Sequence, residues 1–346
     1  MKIRENVPLS SLTTMRLGGN ARHVVEIESP EEVVKAYDFA KEKDLPVWVM
    51  GGGANTIAHD EGFEGVVLLN KLRGIEIINE NNDEITIRAM GGEIWDDLVE
   101  FACERGYSGI EAMSKIPGTV GAAPVQNIGA YGQDIAGVIE QVEAYDTRLK
   151  KNITLDKSEM GMQYRKSRFN TGEDKGRFLI TAVTIKLRRK NLEPPFYSSL
   201  QRYIDEHKEK DFSPKNIRRM VSEIRKEKLP DPEKIPSAGS FFKNVYVDKK
   251  NADKAEQSGI PIWRNEDGSG KINSGWLIES CGLKGKELYG FRVSDKAALV
   301  LINEEAKNYQ DLAKARAEII DAVREKFGFV LEQEPVEIPI HGGNNK

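Results

Sequence analysis

The chain has 346 residues, and a single hydrophobic core rarely supports a chain of that length. The sequence therefore predicts two or three domains. Its formal net charge is −4 and its acidic and basic residues are evenly mixed, which excludes the broad positive field typical of proteins that bind nucleic acid or anionic membranes. Any anion must therefore be bound at a local site, and we expect no nucleic-acid partner and no membrane partner.

The N-terminal segment lacks the apolar core of a signal peptide, and no uncharged apolar run is long enough to span a bilayer. We therefore expect a soluble, cytoplasmic protein. The two cysteines, Cys103 and Cys281, lie far apart in amphipathic helical patterns, which is typical of reduced thiols packed in a core. Because the four histidines are scattered as well, the sequence predicts no metal site.

The first half of the chain predicts an α+β arrangement of small subdomains. Apolar spacing and turn residues give, in chain order, a helix from Ser29 to about Lys43, a buried strand at 47–50, strands at 66–69, 75–78 and 85–89, and a helix at 94–105. Between the first strand and the next, Gly51, Gly52 and Gly53 stand in a row.

A second glycine-rich stretch, at 116–133, carries no charged residue in a chain that is 31% charged. Glycines let a backbone approach a ligand closely, so this stretch indicates contact with a large polyanionic cofactor, although a buried loop against a sheet has the same composition. The three glycines at 51–53 do not fit the dinucleotide fingerprint, and no helical pattern follows them, which disfavours a Rossmann fold. Their N–H groups, with the Asn127 amide and the Tyr131 hydroxyl, are a candidate clamp for a diphosphate.

A further α+β domain is predicted at about 213–340, after a linker. Strands at 138–146 and 178–187 bracket a polar loop, and the charged segment 188–211, which contains Pro194 and Pro195, is interpreted as a crossing linker. The predicted elements beyond it are helices at 213–226, 276–281 and 311–327 and strands at 297–302 and 329–331. The tail, 341–346, is expected to be disordered.

Single residues in this half are ambiguous on their own. Arg165 reads as a solvated loop cation, Glu334 as a surface acid, and Ser240 as a structural serine in a turn before Phe241 and Phe242. Lysines and an asparagine nearby could instead hold phosphate and a uracil or amide edge. These are Lys228, Lys243 and Asn244.

Taken in order, eight motifs resemble those of the UDP-N-acetylenolpyruvoylglucosamine reductase (UDP-N-acetylmuramate dehydrogenase) family, flavoenzymes of bacterial peptidoglycan precursor synthesis. The resemblance covers residues 6 to about 340 and favours the subtype with a tyrosine-bearing loop. It implies an FAD-binding fold similar to that of vanillyl-alcohol-oxidase-like (PCMH-type) enzymes, followed by a C-terminal α+β substrate domain. The motifs are TTMRLGG at 13–19, GGGAN at 51–55, IPGTVG at 116–121, QNIGAYG at 126–132, YRKSRF at 164–169, KLPDP at 228–232, GSFFKN at 239–244 and GWLIE at 275–279.

The resemblance also implies domain boundaries and residue roles. The expected parts are two FAD-binding subdomains at 1–70 and 71–190, a linker at 191–212 and a substrate-binding domain at 213–340. Arg165, Ser240 and Glu334 match the catalytic positions. Residues expected to bind non-covalent FAD are Gly51, Gly52, Gly53, Ala54, Asn55, Thr56, Ile116, Pro117, Gly118, Thr119, Gly121, Ala122, Gln126, Asn127, Gly129, Ala130 and Tyr131. Residues expected to contact substrate are Tyr131, Tyr164, Tyr197, Lys228, Asn244, Trp263 and Lys284.

Three positions depart from the family pattern. Ala54 stands where a serine is common, which removes one possible hydroxyl contact to FAD, and Trp263 stands where some relatives have tyrosine. The usual Leu-Glu-Pro-Glu-Val becomes LEQEPV at 331–336, so the register assigns the catalytic carboxylate to Glu334, with Glu332 as a possible substitute.

By resemblance, the expected reaction uses NADPH as the hydride donor and FAD as the carrier, and it reduces the enolpyruvyl ether of UDP-N-acetylglucosamine. We expect a monomer. One alternative is an FAD-dependent sugar or alcohol oxidase of the same fold, although no histidine near 116–132 could tether the flavin. A second is a nucleotide-sugar binding protein that has lost its flavin, against which the two intact glycine segments argue.

Overall fold

The computed structural model describes residues 1–340 and begins with a four-stranded sheet. Its strands lie in the order β1-β2-β5-β3, and β2, β5 and β3 run parallel while β1 is antiparallel to β2. Helix α1 packs on one face because its apolar positions recur at helical spacing. The elements are β1 (Lys2–Pro8), β2 (Asn20–Ile27), α1 (Pro30–Glu42), β3 (Val47–Met50) and β5 (Phe63–Asn70).

A five-stranded antiparallel sheet forms the next layer, in the order β11-β10-β12-β7-β6. Helix α2 lies against it and buries Trp95, Leu98 and Val99 in the same core as the sheet. The glycine-rich stretch crosses this core and contains a short 3-10 helix at Val120–Ala122 and, at its end, the short hairpin β8-β9. The elements are β6 (Ile75–Glu80), β7 (Glu84–Met90), α2 (Trp95–Glu104), β8 (Gly129–Ala130), β9 (Gln133–Asp134), β10 (Ile139–Asp146), β11 (Lys151–Asp156) and β12 (Phe178–Arg188).

The triple glycine leads into a two-residue strand, β4 (Thr56–Ile57), and not into a helix. A dinucleotide site of Rossmann type needs a helix N-terminus at that point. The loop must therefore bind any anion through its own N–H groups.

The segment interpreted as a crossing linker contains a helix, α3 (Ser198–His207), so that interpretation is wrong for its second half. Leu200, Tyr203 and Ile204 form its buried stripe, and the many charged residues around them hid the helical spacing. The stripe packs against α4 (Pro214–Lys228) in a separate small core. Helix α4 also contacts α2, so it joins the N-terminal half of the molecule to the rest.

The C-terminal part contains two small sheets and three helices around one core. Met15, Leu17 and Ile57 from the N-terminal half are buried in this core too, so the two halves share apolar packing. The sheets have the orders β13-β19-β18-β17 and β14-β16-β15. The elements are β13 (Ser237–Ser240), β14 (Val245–Val247), α5 (Lys249–Gln257), β15 (Ile262–Arg264), β16 (Gly270–Ile272), α6 (Ser274–Ser280), β17 (Glu287–Leu288), β18 (Phe291–Val293), β19 (Val300–Asn303) and α7 (Tyr309–Phe327).

The strand predicted at 329–331 is absent, and the chain pairs slightly later. An isolated antiparallel bridge joins Phe242 to Gln333, and the last strand, β20 (Val336–Glu337), runs parallel to β4. Phe329 and Leu331 contribute side chains to the core instead of forming a ladder, and Val330 between them is 63% exposed. The end of the described chain thus returns to the glycine loop, and the predicted disordered tail at 341–346 lies outside the described residues.

Within residues 1–340, no helix combines the length and the apolar character that crossing a bilayer requires. The same residues contain no group of three or more histidine, cysteine or carboxylate side chains that could hold a metal ion.

Candidate active site

The two glycine segments face each other at contact distance. A Cβ atom at Gly52 would lie 3.1 Å from the Cα of Gly118, and one at Gly51 would lie 2.4 Å from the Thr119 hydroxyl oxygen. Gly53 has a φ of +65°, and a Cβ there would lie 1.9 Å from the carbonyl oxygen of Leu12. The backbones therefore approach so closely that side chains are excluded, as the predicted clamp requires.

Two buried hydroxyl groups beside this contact have no hydrogen-bond partner in the structure. They belong to Thr119, against Gly51, and to Thr13, whose Cα would lie 3.2 Å from a Cβ at Gly53. Buried polar atoms are normally satisfied, so unpaired hydroxyls here indicate a place for a polar ligand. Hydroxyl and backbone N–H donors suit the oxygens of a diphosphate, and these residues therefore fit the diphosphate of FAD.

Arg225 is a further cation of this region that sequence reasoning missed. Its Nη2 donates to the carbonyl oxygen of Lys115 at 3.1 Å, its Nε is buried without a partner, and no carboxylate of residues 1–340 lies within ion-pair distance of it. Burial lowers the pKa of its guanidinium, and the interaction with the neighbouring Tyr131 opposes this decrease. The available signal was its spacing, because Arg225 lies three residues before Lys228 and so on the same face of α4.

Arg165 and Glu334 form an ion pair, with Nε of Arg165 2.8 Å from Oε1 of Glu334. The other guanidinium nitrogens of Arg165 donate to the carbonyl oxygens of Asn127 at 3.3 Å and Gly129 at 3.1 Å. The glycine-rich stretch thus fixes the orientation of the guanidinium. The backbone of Arg165 lies in a loop and has a φ of +54°. A planar cation held in this way can bind a carboxylate of a ligand.

Glu334 lies deep in the site, and its carboxyl is perturbed. Burial raises its pKa above the ordinary value of 4.5, although the positive charges of Arg165 and Lys243 oppose the increase. A carboxyl with a raised pKa keeps its proton closer to neutral pH and can act as an acid. Glu332, the possible substitute, has a side chain 70% exposed and pairs with Lys243 at 2.9 Å outside the site.

Asn55 joins three segments of the site. Its amide donates to Oε1 of Gln126 at 2.7 Å and to the carbonyl oxygen of Glu334 at 3.4 Å. The Asn127 amide is occupied differently, because it donates to the carbonyl oxygen of Gln163 at 3.1 Å and accepts from the N–H of Ala136 at 3.0 Å. That side chain holds the loop together, and its contact with a cofactor stays a prediction.

Ser240 ends strand β13, after Gly239 at a φ of +66°. Phe241 and Phe242, which follow it, are buried in the C-terminal core and anchor the turn. The carbonyl oxygen of Phe241 accepts from the N–H of Glu334 at 2.9 Å, so Ser240 lies on the chain segment next to Glu334. The structure therefore brings all three predicted catalytic residues to the same junction between the glycine-rich stretch and the C-terminal domain.

The predicted substrate residues fall into separate groups. Tyr131 and Tyr197 meet edge to face with ring centroids 5.8 Å apart, and burial raises the pKa of both phenols. Tyr164 lies 4.7 Å from the ring of Tyr246, a residue that sequence reasoning missed. Burial also lowers the pKa of the Lys228 ammonium.

Two predicted substrate residues lie nearer the surface. Trp263 is 41% exposed, and Nζ of Lys271 lies 5.2 Å from its ring centroid. Burial, and then the charge of Arg165, lowers the pKa of Lys271, a lysine that the sequence did not single out. Lys284 is paired instead with Glu279 at 2.9 Å, and the structure gives it no contact with the other predicted residues.

Comparison with known proteins identifies the class first. Residues 21–147 match the family described as FAD binding domain, so the chain is a flavoprotein with its cofactor domain in the N-terminal half. Residues 231–338 match the family described as UDP-N-acetylenolpyruvoylglucosamine reductase, C-terminal domain. The predicted fold class, a vanillyl-alcohol-oxidase-like FAD-binding fold followed by a C-terminal α+β domain, is confirmed.

The chain belongs to the UDP-N-acetylenolpyruvoylglucosamine reductase family, as the motifs predicted. The reductase of Bdellovibrio bacteriovorus is 35% identical over 338 residues, which cover 97% of this chain and 99% of that protein. The reductase of Burkholderia multivorans is 36% identical over 334 residues, 95% of each chain. The crystal structure of the reductase from Thermus caldophilus has a TM-score of 0.67 at 24% identity and covers 98% of this chain and 100% of that one, which shows a shared fold.

Proposed function

We propose that this chain reduces the enolpyruvyl ether of UDP-N-acetylglucosamine to UDP-N-acetylmuramate, with NADPH as the hydride donor. The observation that carries the proposal is the Arg165–Glu334 pair, 2.8 Å apart, at the end of two facing glycine segments in a chain of the reductase family. Bound FAD supplies the hydride-transfer chemistry between NADPH and the enolpyruvyl carbon. The product would serve peptidoglycan precursor synthesis in the cytoplasm, and through it cell shape and division.

The glycine segments and their neighbours would hold the cofactor. Backbone N–H groups of Gly51, Gly52 and Gly53 and the unpaired hydroxyls of Thr13 and Thr119 are the donors that suit its diphosphate. Arg225 would add a positive charge, because among the described residues its Nε is buried without a hydrogen-bond partner and its Nη2 contacts only the carbonyl oxygen of Lys115. The net charge of the protein supplies no attraction of its own, so these local groups must do so.

Arg165 would bind the carboxylate of the substrate. Addition of hydride to C3 of the enolpyruvyl group places negative charge on C2 and on this carboxylate, and a fixed guanidinium in a water-poor site stabilises that charge. The raised pKa of Glu334 matters here, because a protonated Glu334 no longer neutralises the guanidinium. The positive charge of Arg165 is then available to the substrate.

Ser240 would deliver the proton to C2. A serine hydroxyl is a weak acid, so it can serve only when the acceptor is strongly basic and a neighbour replaces the proton. Glu334 lies on the adjacent segment and can hold that replacement proton. Ser240 therefore needs Glu334 in its protonated form.

The remaining predicted residues would bind the nucleotide sugar. Tyr131 and Tyr197 already contact each other, and Tyr197 precedes helix α3, so this pair can cover the site after substrate enters. Lys228, with a pKa lowered by burial, and Asn244 offer donors for phosphate and for the polar edge of a base. For Trp263 and Lys284 we keep the expected contacts as part of the proposal.

The visible spectrum of the purified protein tests the proposal. Under anaerobic conditions, NADPH should bleach the flavin band, and the enolpyruvyl substrate should restore it with formation of UDP-N-acetylmuramate, measured by mass spectrometry. If oxygen restores the band quickly and the substrate does not, the protein is an oxidase and the proposal is wrong. A protein that is colourless and does not take up FAD would indicate a nucleotide-sugar binding protein.

A further inference from the structure

The segment that contains Glu334 is hydrogen-bonded to both halves of the molecule. The N–H of Glu334 donates to Phe241 in the C-terminal half at 2.9 Å, and the N–H of Val336 donates to Asn55 in the N-terminal half at 2.9 Å. These bonds tie the backbone down on both sides. They leave open what fixes the side chains next to Glu334, and through them the direction of its carboxylate.

One arginine of helix α7 forms hydrogen bonds with residues on both sides of Glu334. Nη1 of Arg316 donates to Oε1 of Gln333 at 2.6 Å and to Oε1 of Glu337 at 2.6 Å. Gln333 in turn donates to the carbonyl oxygen of Pro335 at 2.8 Å. The side chain of Arg316 is only 24% exposed, so these bonds form largely away from water.

The same cluster reaches into the FAD-binding half. Glu337 accepts from the Tyr309 hydroxyl at 2.9 Å, and its second oxygen lies 3.1 Å from Nε2 of His59, two residues beyond β4. The rings of His59 and Tyr309 pack with centroids 3.8 Å apart. Arg316 is thus connected through Glu337 to both halves of the molecule at the level of the site.

We propose that Arg316 is a positioning residue that, through Gln333 and Glu337, holds the Glu334 carboxylate against Arg165. A catalytic group must lie within about 0.5 Å of its productive position, and residues that flank it on an irregular segment need side-chain contacts to achieve this. Residues 329–335 form no strand, so the backbone ladder alone does not supply such precision. The inference rests on the proposed function of Glu334.

A merely structural role makes a different prediction. If Arg316 only joined the two halves, its loss would loosen the whole junction and reduce both half-reactions together. If it positions Glu334, its loss should spare reduction of the flavin by NADPH and slow reoxidation by the enolpyruvyl substrate. The local backbone around 334 should also become more mobile without a general change.

The test compares Arg316→Lys and Gln333→Leu with Arg324→Lys as a matched control. Arg324 lies on the same helix but pairs with Asp321 at the surface, where its side chain is 56% exposed. Hydrogen–deuterium exchange of the peptide 330–338, which contains the N–H of Glu334, needs no substrate. Anaerobic stopped-flow spectroscopy gives the two half-reactions separately.

We expect faster exchange in 330–338 for both test variants, and reoxidation slower by about a hundredfold, the effect typical of a 1 Å misplacement. Reduction by NADPH and the exchange elsewhere should match the control. As Glu334 gains water, the alkaline limb of the reoxidation rate should move to lower pH, since the burial that raises its pKa is reduced. Arg165 and Lys243, the charged groups facing it, are unchanged in these variants.

Unchanged exchange at 330–338, or an equal loss in both half-reactions, would overturn the positioning role. Failure of the wild-type enzyme to be reoxidised by the enolpyruvyl substrate would instead contradict the proposed function. The exchange experiment would still decide whether Arg316 holds the segment, because it is read without substrate.

Discussion

Replacement of Asp96 by asparagine should destabilise the protein at the entrance to the second glycine segment. Asp96 accepts from both Nη atoms of Arg218, at 2.6 and 3.0 Å, and from the N–H and Nζ of Lys115, at 2.6 and 2.7 Å. The side chains of Asp96 and Arg218 are 15% and 10% exposed. Asparagine keeps the shape but leaves the buried guanidinium without a full negative partner.

The expected loss is about 3 kcal/mol in the free energy of unfolding, the lower end of the range for breaking a buried ion pair. We take the lower end because Glu100 lies 3.4 Å from Arg218 and can compensate in part. This corresponds to about a hundredfold change in the folding equilibrium. Since Lys115 immediately precedes the glycine-rich stretch, the variant should also bind FAD more weakly.

The pH dependence gives a further check. Burial raises the pKa of the Asp96 carboxyl, but the hydrogen bonds from Arg218 and Lys115 outweigh it and hold the pKa well below the ordinary 3.8. A depressed pKa contributes stability above the unfolded value and loses it as pH falls. The difference between wild type and variant should therefore be constant from neutral pH to about pH 5 and shrink below about pH 4.

Urea unfolding followed by circular dichroism measures the difference, and an FAD titration measures the affinity. Asp97→Asn is the matched control, because Asp97 is the next residue of the same helix turn and is exposed; it should change stability by less than about 0.5 kcal/mol. A loss below about 1 kcal/mol for Asp96→Asn, as at an exposed pair, would refute the reasoning.

Three further predictions concern the proposed reaction. Ser240→Ala should keep flavin reduction by NADPH and slow reoxidation by the enolpyruvyl substrate at least about a hundredfold in stopped-flow measurements. Because burial raises the pKa of Glu334, the reoxidation rate should stay high below that pKa and fall as pH rises through it, and Glu334→Gln should abolish this dependence. Gly53→Ala should lower FAD affinity in a fluorescence titration, because its Cβ would lie 1.9 Å from the Leu12 carbonyl oxygen.

Each of these has a contrary result, and the substitutions at Ser240 and Gly53 also have matched controls. Ser237→Ala, in the same strand, should leave both half-reactions unchanged, and equal damage to both by Ser240→Ala would contradict a role in proton delivery. A reoxidation rate that rises with pH would contradict the assignment of Glu334 as an acid. Gly161→Ala controls for positive φ, because Gly161 has a φ of +56° but no atom lies within 4 Å of a new Cβ. If Gly53→Ala binds FAD as tightly as this control, the close approach of Gly53 to Leu12 does not matter for FAD binding.

Much of the fold could be predicted from local patterns. The first helix was expected at 29–43 and spans Pro30–Glu42, and the strand after it spans Val47–Met50 as expected, because apolar spacing is strong in both. Helix α3 was missed because only a narrow buried stripe marks it among charged residues. The prediction of a strand at 329–331 was wrong because Phe329 and Leu331 pack into the core and the backbone there pairs with no other described strand.

The site was predictable where a motif marks it and not where the fold alone creates it. The contact between the two glycine segments could be predicted, because both have a composition that suits close backbone approach. Arg225 and Arg316 stand in no such motif, and apart from the spacing of Arg225 to Lys228 each looks like an ordinary helix cation until α4 and α7 are packed in place. Burial of Met15 and Leu17 in the C-terminal core is likewise a long-range contact that no local pattern records.

The parallel pairing of β4 with β20 has a consequence for biosynthesis. Strand β4 pairs with no other strand among residues 1–340, so it stays unpaired until Val336 and Glu337 have been made. A ribosome synthesises the N-terminal half first, and that half can begin to fold while the carboxylate of Glu334 does not yet exist. During translation the nascent chain must therefore keep this strand edge from joining a neighbouring polypeptide.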